Sequence, residues 1–244
     1  MPDFSHRSYQ SELLDRPDIP FEDIRRNMQE LETINRYLGG HRITLSGMKS
    51  VLSGSFTPGS LLSKKITICE IGCGGGDNLK AINSWCIRKD IEVHFIGIDI
   101  NKDCISYARE NCRTIGVEWK ASDYREVVFR RKPDIIFSSL FCHHFREDAL
   151  VEQLTWMREN ASAGFFINDL HRHALAYYSI KWLTHYFSGS YLVKNDAPLS
   201  VLRGFIKREW VQLLSKAGMS HCTIQWKWAF RWLMVYIDGK GRIE

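Results

Sequence analysis

The stretch Ile66-Thr67-Ile68-Cys69-Glu70-Ile71-Gly72-Cys73-Gly74-Gly75-Gly76-Asp77-Asn78 constrains this chain more than any other. A short β-branched run ends in an acid, a glycine-dense turn follows, and Leu79, Ala81 and Ile82 open a helical pattern. The unit therefore reads as strand, turn and helix, with glycines that let backbone approach a ligand closely. It is not the dinucleotide fingerprint G-x-G-x-x-G, whose third glycine allows tight helix-strand packing beside a bound pyrophosphate. Counted from Gly72 the third position is Asp77, and counted from Gly74 it is Leu79. About two dozen residues on, Val93-His94-Phe95-Ile96-Gly97-Ile98-Asp99-Ile100 reads as a second strand with an acid at its carboxyl end, the place where such sheets hold a ribose diol.

The pattern acid-x-Gly-x-Gly-x-Gly at Glu70, Gly72, Gly74 and Gly76 resembles the first motif of class I S-adenosylmethionine-dependent methyltransferases. That cofactor carries an ammonium and a sulfonium in place of a pyrophosphate, so an acid at the strand end suits it. The resemblance covers roughly residues 60 to 238 and implies S-adenosylmethionine as cofactor. It also implies a doubly wound, mostly parallel seven-stranded sheet of the Rossmann-like α/β class, closed by a C-terminal antiparallel hairpin. Cofactor contacts are expected from Glu70, Gly72, Gly74, Gly76, Asp99, Ile100, Asp123, Tyr124 and Leu140. Asp123 follows the third strand where the family has an acid toward the adenine amino group; a helix N-cap is the other reading.

From Ile66 onward strand and helix patterns alternate, which means a parallel sheet with crossover helices and ligands at the carboxyl ends of its strands. Strands are expected at 66–71, 93–99, 117–120, 134–139 and 164–170, with helices at 78–89, 102–113 and 148–159. Cys222 to Trp228 and Arg231 to Ile237 read as two strands joined so closely that they must pair antiparallel. Lys207 to Lys216 reads as a helix closed by Gly218, and Gly189 to Gly204 as a loop.

Ahead of the first strand, residues 1–20 are polar, contain Pro17 and Pro20, and read as an extended arm. Ile24, Met28, Leu31, Ile34 and Leu38 mark one face of a helix that Gly39-Gly40 stop. A shorter helix over 43–52 follows, and Pro58-Gly59 mark a loop. We expect residues 1–60 to form a helical arm or lid, and 61–244 a methyltransferase domain with a substrate-pocket insertion at about 170–205. Arg42, or Arg36, is a candidate for the methionine carboxylate; an exposed arginine is the bland alternative.

The fourth strand runs into Phe137-Ser138-Ser139-Leu140-Phe141-Cys142-His143-His144-Phe145. No two prolines are adjacent and no proline precedes a cysteine, so the motifs of amino-directed and cytosine C5 nucleic-acid methyltransferases are missing. His143, His144 and, after the fifth strand, His171 are candidate general bases, since an imidazole with a pKa of about 6.5 accepts a proton near neutral pH. Each could equally cap a helix or bond a loop. His173, Tyr177, Tyr178 and Trp182 are candidate acceptor contacts. The helix Ala174 to Phe187 carries large residues on two faces, Leu175, Tyr178, Trp182 and Tyr186 on one and Ile180, Leu183 and Phe187 on the other, and is expected to be covered on several sides.

The chain of 244 residues holds 33 Lys+Arg against 28 Asp+Glu, a formal +5, but the basic residues are scattered, so nucleic acid is disfavoured as a partner. Seven cysteines lack any C-x-x-C pair and are read as reduced and structural, with no metal site. The start lacks the apolar core of a signal peptide and no apolar stretch spans a membrane. The expectation is a cytoplasmic enzyme, monomer or homodimer, that methylates a small molecule at oxygen, the acceptor a hydroxylated aromatic or polyketide-like compound. Methylation at carbon or nitrogen, of RNA or protein, and a non-catalytic cofactor-binding protein are the alternatives.

Overall fold

The computed structural model describes residues 2–16 and 18–239; Pro17 of the arm lies outside the described residues. Among them seven strands form one sheet: β1 (Ile66–Ile71), β2 (Val93–Asp99), β3 (Val117–Ala121), β4 (Ile135–Ser139), β5 (Gly164–Leu170), β6 (Thr223–Lys227) and β7 (Arg231–Ile237). Their order is β3-β2-β1-β4-β5-β7-β6. The first five strands pair parallel, and β7 enters antiparallel to both β5 and β6. The order reverses between β1 and β4, which leaves a crevice at their carboxyl ends.

The sheet is buried on both faces because alternate side chains of each strand point to opposite sides. One face joins Ile66, Ile68, Phe95, Phe137 and Phe166 to Met48 and Val51 of α2 (Gly40–Ser55) and to Leu79 and Ile82 of α3 (Asp77–Ile87). The other joins Cys69, Ile71, Ile96, Ile136 and Phe165 to α4 (Glu147–Asn160) through Leu154 and Met157, and to α5 (Lys207–Lys216) through Trp210 and Leu213. The remaining helices are α1 (Phe21–Tyr37), α6 (Pro58–Ser63), α7 (Ala174–Phe187), α8 (Tyr191–Arg203) and α9 (Lys102–Asn111).

Three expectations need correction. Pro58-Gly59 open the short helix α6: Thr57 accepts the Ser60 N–H as N-cap, and Pro58 fills the first helical position, where its missing N–H costs nothing. The helix expected over 43–52 runs from Gly40 to Ser55, because Gly39 at φ 79° ends α1 and turns the chain directly into α2. Residues 189–204 are mostly helix, not loop. An interior proline costs about 3 kcal/mol, yet α8 contains Pro198. Burial of Leu192, Val193, Leu199 and Val201, at about 1.5–3 kcal/mol each, outweighs it.

The first residues are not a free arm. The Arg7 guanidinium lies over the Phe205 ring at 4.1 Å and donates to the carbonyls of Arg203 (2.9 Å), His143 (3.2 Å) and Phe145 (3.0 Å). Asp196 of α8 accepts the N–H groups of Leu13 and Leu14 at 2.8 and 3.0 Å. The arm is thereby fixed across the site end of the sheet. Helix α7 also departs from expectation: Ala176 and Thr184 are buried, but Leu175, Tyr178, Trp182, Tyr186 and Phe187 are exposed. Among the described residues no helix is long and apolar enough to cross a membrane.

Candidate functional site

A cavity of about 930 Å³ sits over the carboxyl ends of β1, β2 and β4. The arm and α1 wall one side, α7 and α8 another, and the turn from Trp228 to Arg231 closes the end. Most of its wall is apolar, with Leu14, Ile19, Met28, Leu31, Ile180 and Leu183 among the lining residues. Two polar corners face into it.

The first corner is built where β1 meets α3. Gly72 and Gly74 take φ values of 66° and 48°, a left-handed backbone that side chains rarely adopt, and a Cβ on Gly72 would come within 2.2 Å of the Phe141 ring. This turn brings backbone N–H groups against the acid of β2: Asp99 accepts from Gly74 and Asn101, both at 2.9 Å. Glu70, at the end of β1, is almost fully buried; its Oε1 accepts the Asn78 amide at 2.9 Å, and its Oε2 has no partner among the described residues. Burial, with Asp77 and Asp99 nearby, pushes the Glu70 carboxyl well above the usual range. Arg231, equally buried, also lines the cavity; its Nη2 donates to Asn35 at 3.0 Å, while Nη1 has no partner among the described residues. Burial draws this guanidinium down to about 10. A carboxyl and a guanidinium, each with an open polar atom, thus line one cavity, which suits a zwitterion with an ammonium and a carboxylate.

The second corner joins the arm to the segment after β4. Leu140, at φ 55°, turns the chain out of the sheet, and the 3-10 turn Cys142–His144 follows. His143 Nδ1 lies 2.8 Å from Asp169 Oδ1 on β5, and its Nε2 lies 3.5 Å from Glu12 Oε1 on the arm. His144 Nε2 is 3.8 Å from Glu12 Oε2, and its Nδ1 is 3.5 Å from Asp15. Glu12, Asp169 and His143 are each at most 5% exposed. Burial opposes charge on His143, but the Asp169 and Glu12 carboxylates outweigh it and push the imidazole up to about 9. Glu12 responds in the opposite sense: burial raises it, and the two histidines draw it down to about 2.

Comparison with known proteins turns this geometry into an assignment. Residues 68–163 match the family described as a methyltransferase domain. Over that stretch the chain carries a methyltransferase domain, and its fold is shared with solved methyltransferases that hold S-adenosylmethionine or its demethylated product. Among solved structures, the plantazolicin methyltransferase BpumL in complex with SAH aligns over 93% of this chain and 92% of its own, with a TM-score of 0.65 and 17% identity. Human N-acetylserotonin methyltransferase in complex with SAM aligns over 91% of this chain and 57% of its own, at a TM-score of 0.61 and 14% identity. Magnesium protoporphyrin IX methyltransferase from Synechocystis PCC 6803 with bound SAM aligns over 92% and 100%, at 0.53 and 10%. No curated protein sequence matches the chain significantly.

Of the residues expected at the methyltransferase site, Glu70, Gly72, Gly74, Asp99, Ile100, Leu140, His143 and His144 line the cavity. The others sit elsewhere. Gly76 is the N-cap of α3 and faces Trp119 and Cys112. Asp123 caps its own turn and pairs with Arg125 at 2.5 Å, while Tyr124 is buried edge-on against Trp156. Exposed Arg42 lines a smaller hollow with Arg36 and Trp228. His171 accepts the Trp226 indole N–H at 3.2 Å, and burial lowers its pKa. His173 caps α7 and stacks on Phe230, and Tyr177 packs on Phe4. Tyr178 and Trp182 face outward because the helical period instead aims Ala176, Ser179, Ile180 and Leu183 into the cavity. Sequence reasoning missed Glu12, Asn35, Asp169 and Arg231. Asp169 had a signal, since it stands at the carboxyl end of a central strand. Arg231 had one too, as a charged residue opening an otherwise apolar strand.

Proposed function

We propose that the protein transfers a methyl group to a hydroxyl oxygen of an apolar, aromatic small molecule. The observation that carries this reading is the carboxylate-held histidine pair, His143 and His144, set in the wall of a largely apolar cavity beside the cofactor corner. The cavity, at about 930 Å³, lies at the upper end of the range of about 300–1,000 Å³ for ligand sites, and it reaches from the cofactor corner to the histidine pair. Plantazolicin, magnesium protoporphyrin IX and N-acetylserotonin are the small molecules in the names of similar enzymes, and a Nostoc punctiforme neighbour is described as a putative O-methyltransferase, which supports the same class. Seven unpaired thiols suit a reducing, cytoplasmic location.

In the proposed arrangement Glu70 Oε2 takes the methionine ammonium and Arg231 Nη1 its carboxylate. Asp99 keeps lone pairs for the ribose hydroxyls after accepting two backbone N–H bonds. Ile100 and Leu140 supply apolar wall for the adenosine end. When bound, S-adenosylmethionine would supply an electrophilic methyl group whose bonding pair is left on the sulfur as the acceptor oxygen takes the methyl. The protein orients acceptor oxygen, methyl and sulfur in line and excludes water, which is where most of the rate comes from. Asp169 fixes the His143 ring, His143 held as a cation favours an acceptor oxygen that has given up its proton, and His144 Nε2 takes that proton.

The test is to incubate the protein with methyl-labelled S-adenosylmethionine and a panel of phenols, aliphatic alcohols, amines and activated-carbon acceptors, and to locate the label. Label on a phenolic oxygen supports the reading. Label on nitrogen or carbon only, at rates that His144→Ala does not lower, overturns it.

A further inference from the structure

We propose that Glu12, His143 and His144 form a binding site for a divalent transition-metal cation of the zinc class, open toward the acceptor side of the cavity. One ligand atom from each of the three lies within 4.8 Å of the other two. The two Glu12 oxygens each face one ring, Oε1 at 3.5 Å from His143 Nε2 and Oε2 at 3.8 Å from His144 Nε2; these separations are longer than good N–H···O hydrogen bonds of about 2.7–3.2 Å. They approach the edge of a coordination tetrahedron: ligand bonds of about 2.0–2.1 Å separate neighbouring donors by roughly 3.3–3.4 Å. The three donors, now within 4.8 Å of one another, share one coordination shell once they close to that roughly 3.3–3.4 Å edge.

Orientation supports the same assignment. Metal-bound histidines hold their second ring nitrogen against a carboxylate, which fixes the ring and makes it a better donor. His143 meets Asp169 through Nδ1 at 2.8 Å, and His144 faces Asp15 through Nδ1 at 3.5 Å, so both rings turn Nε2 toward Glu12. The charge balance also fits. Glu12, Asp15 and Asp169 bring three negative charges; Arg203, whose Nη1 lies 3.9 Å from Glu12 and 3.7 Å from Asp15, offsets one, and Arg7 lies nearby but donates to backbone carbonyls. Ser200 donates to Glu12 Oε1 at 2.7 Å, which leaves Oε2 for a cation.

Two imidazoles and one carboxylate select zinc, cobalt or nickel over magnesium or calcium, which prefer oxygen ligands throughout. Three protein ligands leave a fourth position, the pattern of catalytic and not structural sites. All three residues line the cavity, so that position is where an acceptor oxygen would reach. With both Nε2 atoms on a metal, the metal would replace the His143 cation and the His144 base, lowering the pKa of a bound hydroxyl in their stead; this role rests on the methyl-transfer reading, whereas binding of the metal does not. The metal would also pin the arm, through Glu12, to the turn after β4.

The test uses the full chain, stripped with a chelator and titrated with cobalt(II) in the absence of cofactor and acceptor. The expected result is one equivalent bound, a visible ligand-field band, and its displacement by zinc. His144→Ala, at a half-buried position, and Glu12→Gln are expected to abolish the band while circular dichroism shows an intact fold. Asp169→Asn keeps the band but weakens affinity by about 10- to 100-fold, the usual effect of losing a carboxylate behind a ligand histidine. His171→Ala binds as wild type. No band, or an equal band in His144→Ala, overturns the site. Cobalt binding without methyl transfer to any acceptor keeps the site and removes the O-methylation reading; full turnover in chelator with no cobalt bound removes the site alone.

Discussion

The two polar corners of the cavity are built in opposite ways. The cofactor corner is local: Glu70, Gly72, Gly74 and Asn78 lie within nine residues, and Asp99 ends the adjacent strand. The acceptor corner is assembled from Glu12 on the arm, His143 and His144 after β4, and Asp169 on β5, up to 157 residues apart. A local corner depends on backbone conformation that a single substitution can destroy. An assembled corner depends on the packing of distant elements, so single changes there should alter chemistry before they alter the fold.

The largest expected effect breaks the local corner. Gly72→Ala forces a side chain into a left-handed backbone and against Phe141, and should cost about 3 kcal/mol or more from strain and overpacking together. Denaturant unfolding and cofactor binding should both show it; a variant that melts as wild type and binds S-adenosylmethionine normally would mean that the turn is not the cofactor seat. Next comes the assembled corner. His143→Ala and His144→Ala should lower turnover by about 10²-fold at one or both positions, with cofactor affinity nearly unchanged. If cofactor binding collapses in both variants, the two corners are one unit and the contrast fails.

Arg231 bridges the two, being distant in sequence from the cofactor corner yet lining the same cavity. Arg231→Gln should weaken cofactor binding by roughly 10- to 100-fold, corresponding to about 1.5–3 kcal/mol for a lost charged hydrogen bond, measured by calorimetry. An unchanged dissociation constant would return the carboxylate role to Arg42 or Arg36. A smaller effect concerns pH. Burial raises the Glu70 pKa in the ligand-free fold, so its contribution to stability is complete below the unfolded carboxyl value of about 4.3 and is lost as pH rises toward the raised folded value. A cofactor ammonium beside Glu70 reverses that loss. The thermal shift produced by S-adenosylmethionine should therefore grow from pH 5 to pH 8, and a flat profile would separate Glu70 from the ammonium. The smallest effect belongs to His171→Ala, which should keep turnover within about twofold, since the residue lies outside the cavity lining.

The sheet was legible because its strands are continuous β-branched and aromatic runs, and the cofactor corner because its glycines and acids are adjacent in the chain. Helix α8 was not legible, since Pro198 and a polar pattern argue for loop until the buried contacts of Leu192, Val193, Leu199 and Val201 are known. The aromatic residues of α7 drew attention to the wrong side of that helix: size marks a surface worth covering, but helical phase decides which residues face the cavity. Arg42 and Arg231 illustrate the same limit for charge, as an arginine's exposure depends on what packs over it.

The sequence by itself determined the class of the protein, because a strand-end acid followed by glycines at left-handed positions is a backbone instruction carried within a dozen residues. Tertiary structure alone decided which polar side chains meet. Glu12, His143, His144 and Asp169 carry no shared motif, and their encounter depends on the arm being held by Arg7 and Asp196 across the ends of β4 and β5. Local geometry is encoded by neighbouring residues through their allowed dihedrals; the chemistry of the acceptor side arises only when burial brings distant charges together and forces each to find a partner.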